Sequence, residues 1–441
     1  MKDCHDGFLE ARDDIPLKES GTDDILNYER KEYPSPAKLV PILVGLCFQS
    51  FCIALDNTIL ATAVPKITEQ FNSLEDLSCL GGLLTDRVSW RWCFYINIPL
   101  GAITGLFIIL FFKDAKSDKK REPDRWRKIK RMDPWGVAVF MPAIISILLG
   151  LQWGGTKYPW GDPRIIILFV LFGVFGSIWC VIQFWKQDEA TVPPRLLKNR
   201  NVFGAVLHAM FLGGSFFVFG YYLPIWFQAI RGESAADSGI NNLPMLVSMI
   251  VCSAFGGLLV NLLGYYTPLM YVGSALLTIG SGLCTTFQLD TSHAEWIGYQ
   301  VIIGVGAGVG FQQCINALQT VLPLEDIPIG IAIITFAQSL SGALFISIAQ
   351  NVFQNRLVAN LTQKAPTVNP TAVIQSGAAN LAQRFPKDIL PGVLHGYNIA
   401  VTQTFYVSVA TAAMSFLGAG FVEWKSMRRE KKYSEDERDT E

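Results

Sequence analysis

The chain has 441 residues, 51% of them hydrophobic and 17% charged, and the charges gather in tails and loops between long apolar runs. That segregation excludes an ordinary soluble domain and points to an all-α polytopic membrane protein. The formal net charge of -1 therefore says nothing about partners, and no basic stripe of the nucleic-acid-binding kind is present.

Residues 1–37 are rich in Asp and Glu with few aromatics, a composition too poor in apolar area to offset ordering, so a disordered cytoplasmic tail is expected. Residues 38–112 are expected to hold two spans. The first is an apolar run with one carboxylate, Asp56, followed by Asn57 and Thr58. No basic n-region directly precedes a short apolar core, so this span reads as an uncleaved anchor rather than a signal peptide. An ionisable group inside a span is expensive and functional by default, which makes Asp56 a candidate proton or cation site facing a cavity. The plainer reading is an Asp bonded to a neighbouring helix or wetted near the outer surface. Residues 68–91 carry Glu69, Glu75, Asp76, Asp86 and Arg87 and are too polar for lipid, so an irregular external loop is expected before the second span at 92–112.

The loop at 113–134 has ten Lys or Arg between Lys113 and Asp133, which assigns it to the cytoplasm. Apolar runs follow at 135–153 and 165–185, then at 202–227, 240–263, 267–287, 296–318, 329–352 and 397–424, each long enough to cross ~30 Å of hydrocarbon. The total is about ten spans. Two spans at 135–185 precede six at 186–424, with an external loop at 351–396 and a charged cytoplasmic tail at 425–441. Both termini are then cytoplasmic, and 26 of the 36 Lys and Arg fall on the inner side, as that orientation requires. The sequon Asn360-Leu361-Thr362 is a glycosylation candidate and would sit outside.

Gly304, Gly306, Gly308 and Gly310 follow no strand and precede no Lys, so they form no phosphate loop. Small residues spaced by two and four instead let helix backbones approach closely, a packing motif. Polar groups within spans (Asn57, Gln152, Trp153, Tyr221, Gln228, Gln312 and Gln338) are the candidate lining of an amphipathic cavity. The aromatics of FFVFGYYLPIWFQ, residues 216–228, read as packing groups and interfacial anchors. His208 has no second ligand at metal spacing, and HExxH, CxxC, GxSxG and GxxxxGK[ST] do not occur. No enzyme, metal site or cofactor is expected. Most of the nine cysteines lie in apolar runs and act as small hydrophobes; Cys79 and Cys93 are a candidate external pair.

LDNTILATAVPKI (residues 55–67) resembles the first-span motif of the fourteen-span drug:proton antiporters of the major facilitator superfamily. VSWRWCFYINIPLG, LQWGGTKYPW, YYLPIWFQAI, SGINNLP and LPGVLHGYNIAV resemble fungal toxin-efflux pumps of that group. The resemblance covers nearly every span. It departs at residues 77–81, where the chain passes from the loop after span 1 to what resembles the end of span 5, so spans 2 to 5 and the family's Asp-Arg loop are missing. GLLTDRVSW (82–90) mimics that loop but follows a single span and would lie outside. A degenerate copy, GLLVNLLGYY (257–266), falls on the cytoplasmic side, in keeping with the internal repeat of such folds.

The resemblance implies a complete C-terminal six-helix bundle, two linker spans and an N-terminal bundle reduced to two helices. It also implies proton-coupled efflux of a small amphipathic drug, toxin or secondary metabolite, with Asp56 as proton carrier and export impaired by the missing spans. The alternative is a non-transporting fragment, from mis-splicing or a wrongly drawn gene, or a partner of an intact copy. The expected partners are the small-molecule substrate, protons and the lipid bilayer. The expected form is a monomer in the plasma membrane, with vacuolar or vesicle membranes as further options.

Overall fold

A computed structural model describes residues 133–425 except 377, 379 and 380, together with Ile98, Pro99, Gly101, Ala102, Gly105 and Leu106. The chain divides into two units, residues 1–52 with 99–121 and residues 53–98 with 122–441, and the helices below belong to the second. Asp56, Asn57, the loop at 68–91, the junction at 77–81, the basic loop and the tails' far ends lie outside the described residues. The six isolated residues within the expected span at 92–112 are all helical.

Twelve α-helices run in order among the described residues from 133 onward: α1 (Pro134–Trp153), α2 (Pro163–Lys186), α3 (Pro194–Lys198), α4 (Arg200–Arg231), α5 (Ala235–Asn241), α6 (Leu243–Leu263), α7 (Thr267–Cys284), α8 (His293–Val321), α9 (Ile327–Lys364), α10 (Pro370–Ser376), α11 (Leu381–Arg384) and α12 (Leu390–Phe421). Their ends are written in the sequence. Asp133 and Asp162 cap α1 and α2, each with Pro at the first helical position, where proline's missing N–H costs nothing. Ser292 and Glu295 close a reciprocal capping box at α8. Gly232 (φ 65°) and Gly264 (φ 80°) end α4 and α6 in the left-handed conformation that suits glycine.

Eight described helical stretches are long and apolar enough to cross a membrane, with α5 and α6 together making one of them. The span windows 135–153 and 165–185 agree with α1 and α2 to within two residues at each end. Two expectations need correction. The segment 351–396, read as a loop, begins as helix: α9 continues to Lys364 because Phe353, Leu357 and Leu361 recur every four residues and are buried. At about 1.5 Å per residue this 38-residue helix is about 57 Å long, well beyond the hydrocarbon core. The span expected at 240–263 is likewise two helices, α5 and α6.

α4 lies at the centre, packed against α12, α9 and α8; α6 packs on α8, and α7 on α8 and α12. The aromatic run of α4 points inward: Phe219 meets Phe405 at 4.8 Å, Trp226 meets Phe287 at 4.7 Å and Phe227 meets Trp296 at 4.9 Å. α1 and α2 form a pair that docks on α9, through Phe140 on Phe336 (5.4 Å) at one end and the Asn351 amide donating to the Gly154 carbonyl at the other.

Candidate functional site

Close helix approach comes first, because it fixes where polar groups can meet. On α8 the four glycines divide between neighbours. A Cβ on Gly304 would strike the Met245 carbonyl and one on Gly308 the Met249 carbonyl, both on α6, whereas Gly306 abuts the Leu277 amide of α7 and Gly310 abuts Leu212 of α4. Each is buried. Backbones this close leave room only for small side chains, and interhelical hydrogen bonds then supply adhesion that apolar contacts do not supply in lipid.

Beside this seam α8 carries three amides in sequence register. Asn316 Nδ2 donates to Gln313 Oε1 at 3.0 Å, and Gln312 Nε2 to Asn316 Oδ1 at 3.4 Å. From α6, Ser253 Oγ donates to Gln312 Oε1 at 3.5 Å, and Gln313 Nε2 reaches the Gly256 carbonyl at 3.5 Å. Gln313 is fully buried, while Gln312 is half-buried and presents the open side of the ladder. Of the expected cavity residues that are described, only Gln312 belongs to it. Gln313 and Asn316 join it through i, i+3 and i, i+4 spacing on one helix, a signal the sequence carries.

The remaining candidates lie elsewhere. Gln152 and Trp153 end α1, where Gln152 is exposed and Trp153 packs near Lys157 (5.2 Å) and Tyr158 (6.2 Å). Gln228 is 1% exposed and donates to Ser238 Oγ at 3.0 Å, which ties α5 to α4. Tyr221 is half-buried against Tyr222, rings 5.1 Å apart. Gln338 is half-buried on α9, opposite Gly213 of α4. Asn360 lies near the end of α9, half-buried, and its amide donates to Gln403 Oε1 at 3.4 Å. The structure therefore spreads these residues over several helices, some at their ends and some within them, and does not gather them in one pocket.

A second polar seam runs between α4, α7 and α12. Ser415 Oγ donates to Ser274 Oγ at 2.6 Å, Ser215 and Ser281 Oγ lie 3.4 Å apart, and His208 Nδ1 lies 3.0 Å from the Ser415 carbonyl. At the far end of α4, Trp226 Nε1 donates to Asn398 Oδ1 (2.7 Å), whose amide donates to the Phe287 carbonyl (3.0 Å). The sequence offers no cue for these pairs, which join residues 66 to 207 positions apart.

Among the described residues charge gathers at or near the helix ends, with Arg356 about two turns inside α9. Arg195 of α3 grips Asp326, just before α9, through two bonds of 2.7 Å. Glu423 gathers Arg200, the Asn201 amide and Thr267, which joins the starts of α4 and α7 to the end of α12. Buried Asp133 receives Lys186 Nζ at 2.7 Å, Gly136 N and Thr191 Oγ1 at 2.9 Å, Thr191 N at 3.2 Å and Gln183 Nε2 at 3.3 Å. Burial works to raise its carboxyl, but the bonds from Lys186, Gly136 and Thr191 outweigh it and hold the pKa at about 2. On the opposite side, burial raises Glu233 against the pull of the Asn241 amide and Arg231. Among the described residues no three His, Cys, Asp or Glu side chains gather to hold a metal.

The family described as the Major Facilitator Superfamily matches residues 77–346. The MFS-type transporter ptmT of Penicillium ochrochloron is 39% identical over 518 aligned positions, covering 94% of this chain and 90% of that protein. The MFS-type transporter astH of Aspergillus oryzae is 41% identical over 500 positions, covering 90% and 88%. The efflux pump roqT of Penicillium rubens is 48% identical over 350 positions, covering 79% and 65%. The alignment with ptmT is 77 positions longer than the 441 residues of this chain, so at least that many residues of the relative have no counterpart here. The 350 positions aligned with roqT cover 79% of 441 residues, which leaves almost no room for a gap in that stretch.

Proposed function

Because this chain belongs to the major facilitator superfamily, whose members transport solutes and are not enzymes, we propose that it is a secondary active exporter of small amphipathic organic compounds. The observation that carries this reading is the likeness to proteins named MFS-type transporters over nine-tenths of the chain, and to one named an efflux pump over 79% of it. The described helices support it: α4 to α12 form a bundle with charge at its ends and amides and hydroxyls inside, the distribution a solute path through lipid needs. We place the cargo-facing polar stripe at Gln312, backed by Asn316 and Gln313, with Tyr221 and Gln338 as further lining candidates.

Protons are the proposed driving ion and Asp56 their carrier, with Asn57 beside it. Binding outside and release inside would yield ~1.4 kcal/mol per pH unit and about 2.3 kcal/mol per 100 mV. The chain would act as a monomer in the plasma membrane with both termini cytoplasmic, an orientation supported by the Lys and Arg asymmetry. We assign the 77 or more unmatched positions to spans 2 to 5, lost at residues 77–81, the point at which the family match begins. The same shortfall favours a second reading, a membrane fragment that does not transport or that assists an intact copy.

Efflux of an amphipathic fluorescent dye from cells lacking other pumps separates these readings, using the chain as it stands and the chain with four spans restored. Export by either form that Asp56→Asn abolishes is the expected result. Undiminished export and proton movement in the restored Asp56→Asn chain would remove Asp56 from the mechanism. Export by the unrestored chain would remove the fragment reading.

A further inference from the structure

A cleft of about 580 Å³ opens between α9 and α12, and its chemistry changes along its length. Its floor is apolar, built from Phe345, Ile348 and Val352 of α9 and Val407, Ala410 and Met414 of α12. Its rim at one end is different. Arg356 is exposed and makes no ion pair among the described residues, and Gln403 turns its carbonyl to Asn360 (3.4 Å), which leaves its amide nitrogen free to donate. Two unpaired donors therefore stand at one end of a mostly apolar trough, whose lining also includes Tyr406 and Thr411.

The dimensions match one leaflet. From Arg356 to Phe345 along α9, and from Gln403 to Met414 along α12, is eleven residues, or about 16 Å of helix. That is half the ~30 Å hydrocarbon thickness. Gln403 also stands eighteen residues, about 27 Å, from the charged end of α12 at Phe421, which puts the two donors at the far membrane interface. An arginine with no partner at that level faces phosphate oxygens, for which its planar fork is suited.

We propose that this cleft is a binding site for one membrane phospholipid of the leaflet nearer the C-terminal end of α9. Its phosphate is held by Arg356 and the Gln403 amide, and one acyl chain lies in the trough. The charge complementarity at the rim and the leaflet-deep apolar floor choose this occupant. No residue of the α8 amide ladder lines the cleft, so it is separate from the cargo stripe.

Native mass spectrometry of the full chain in detergent tests the assignment, with dioleoyl phosphatidylglycerol and dioleoylglycerol as probes that share tails and differ in the phosphate. The wild-type chain should take up one phosphatidylglycerol at least tenfold more readily than dioleoylglycerol. Arg356→Gln should erase that preference, Arg356→Lys should restore part of it, and Ala410→Phe, which fills the trough from an exposed position, should reduce uptake of both probes. Equal preference in the wild-type and Arg356→Gln chains overturns the proposal, as does unchanged uptake by Ala410→Phe. The second result stands even where Arg356→Gln fails to fold. Stoichiometric binding of an amphipathic carboxylate drug in place of phosphatidylglycerol would assign the cleft to cargo and overturn the lipid reading.

Discussion

Asp133 offers the clearest test of how the two helices α1 and α2 are held to the chain that follows them. Its carboxylate is almost wholly enclosed and accepts bonds from Lys186, Gln183, Gly136 and Thr191. The residue itself sits at φ 49°, a left-handed conformation that Asp tolerates better than most residues. A pKa lowered from 3.8 to about 2 corresponds to about 2 kcal/mol of preference for the charged form in the folded chain. Asp133→Asn should therefore lower stability by about 2 kcal/mol at pH 7, because it removes the charge but keeps the shape. Asp133→Ala should cost about 3–5 kcal/mol, since it leaves Lys186 and several buried donors without an acceptor. The pH dependence has a definite sign. A depressed carboxyl contributes its full share above the ordinary value of 3.8 and loses it as pH falls from 3.8 through 2, so the gap between wild type and Asp133→Asn should close over that window. Thermal melts of the purified chain in detergent, followed by tryptophan fluorescence, would show this, with Trp135 two residues from Asp133 and Trp185 next to its partner Lys186 as reporters. Equal melting of wild type and Asp133→Asn at pH 7, or a gap that persists to pH 2, would refute the clasp.

Gly308→Ala should destabilise the bundle by about 1–3 kcal/mol, because the added methyl meets the Met249 carbonyl, a backbone group that cannot step aside. Gly282→Ala, with nothing within 4 Å of its Cβ position, should leave the melting temperature unchanged or raise it. Glu233 gives a pH signature opposite to that of Asp133: burial raises its carboxyl, so the wild-type chain should lose stability as pH rises past the ordinary glutamate value through the raised one. Glu233→Gln should be flat there, and melts at pH 4 and pH 7 that give wild type and variant the same pH dependence would contradict this.

The sequence declares the helical course of the chain because lipid imposes it: a run of about twenty apolar residues has no alternative to helix when water is absent. Hence α1, α2 and α4 appear where hydropathy places them, and α4 exceeds its window by only a few residues at each end. The misplaced boundary of α9 has a physical origin. After Val352 the chain reads Phe-Gln-Asn-Arg-Leu-Val-Ala-Asn-Leu, and Arg356 and the amides depress average hydropathy. The helix nevertheless continues on one face, with Phe353 at 5.6 Å from Tyr222 and 5.3 Å from Tyr397. Period rather than mean was the informative quantity. The polar contacts were less legible still. Trp226 with Asn398, or Arg195 with Asp326, are pairings set by the helix arrangement, and a span's polarity shows only that it needs some partner.

Average hydropathy also hides which helices are central, for a reason specific to membranes. α2 has the more apolar window, mean hydropathy 2.8 against 1.9 for α4, yet 6% of the α2 window is buried against 67% for α4. In water the greasier helix would go inside. In lipid both environments are apolar, so transfer of a leucine inward gains little, and the interior goes to the helix that can approach its neighbours and satisfy polar groups. α4 has what that requires: Gly204 faces the Gly418 carbonyl at 2.8 Å from its Cβ position, Gly213 faces Ser341 at 3.0 Å, and Ser215, Trp226 and Gln228 each find a bonding partner. α2 shows Ile167, Val170, Val174, Val181 and Phe184 to its surroundings and buries Gln183, near its end, on Asp133. Small and hydrogen-bonding residues in register, rather than apolar density, are therefore the marks by which the inner helices of such a chain are to be sought.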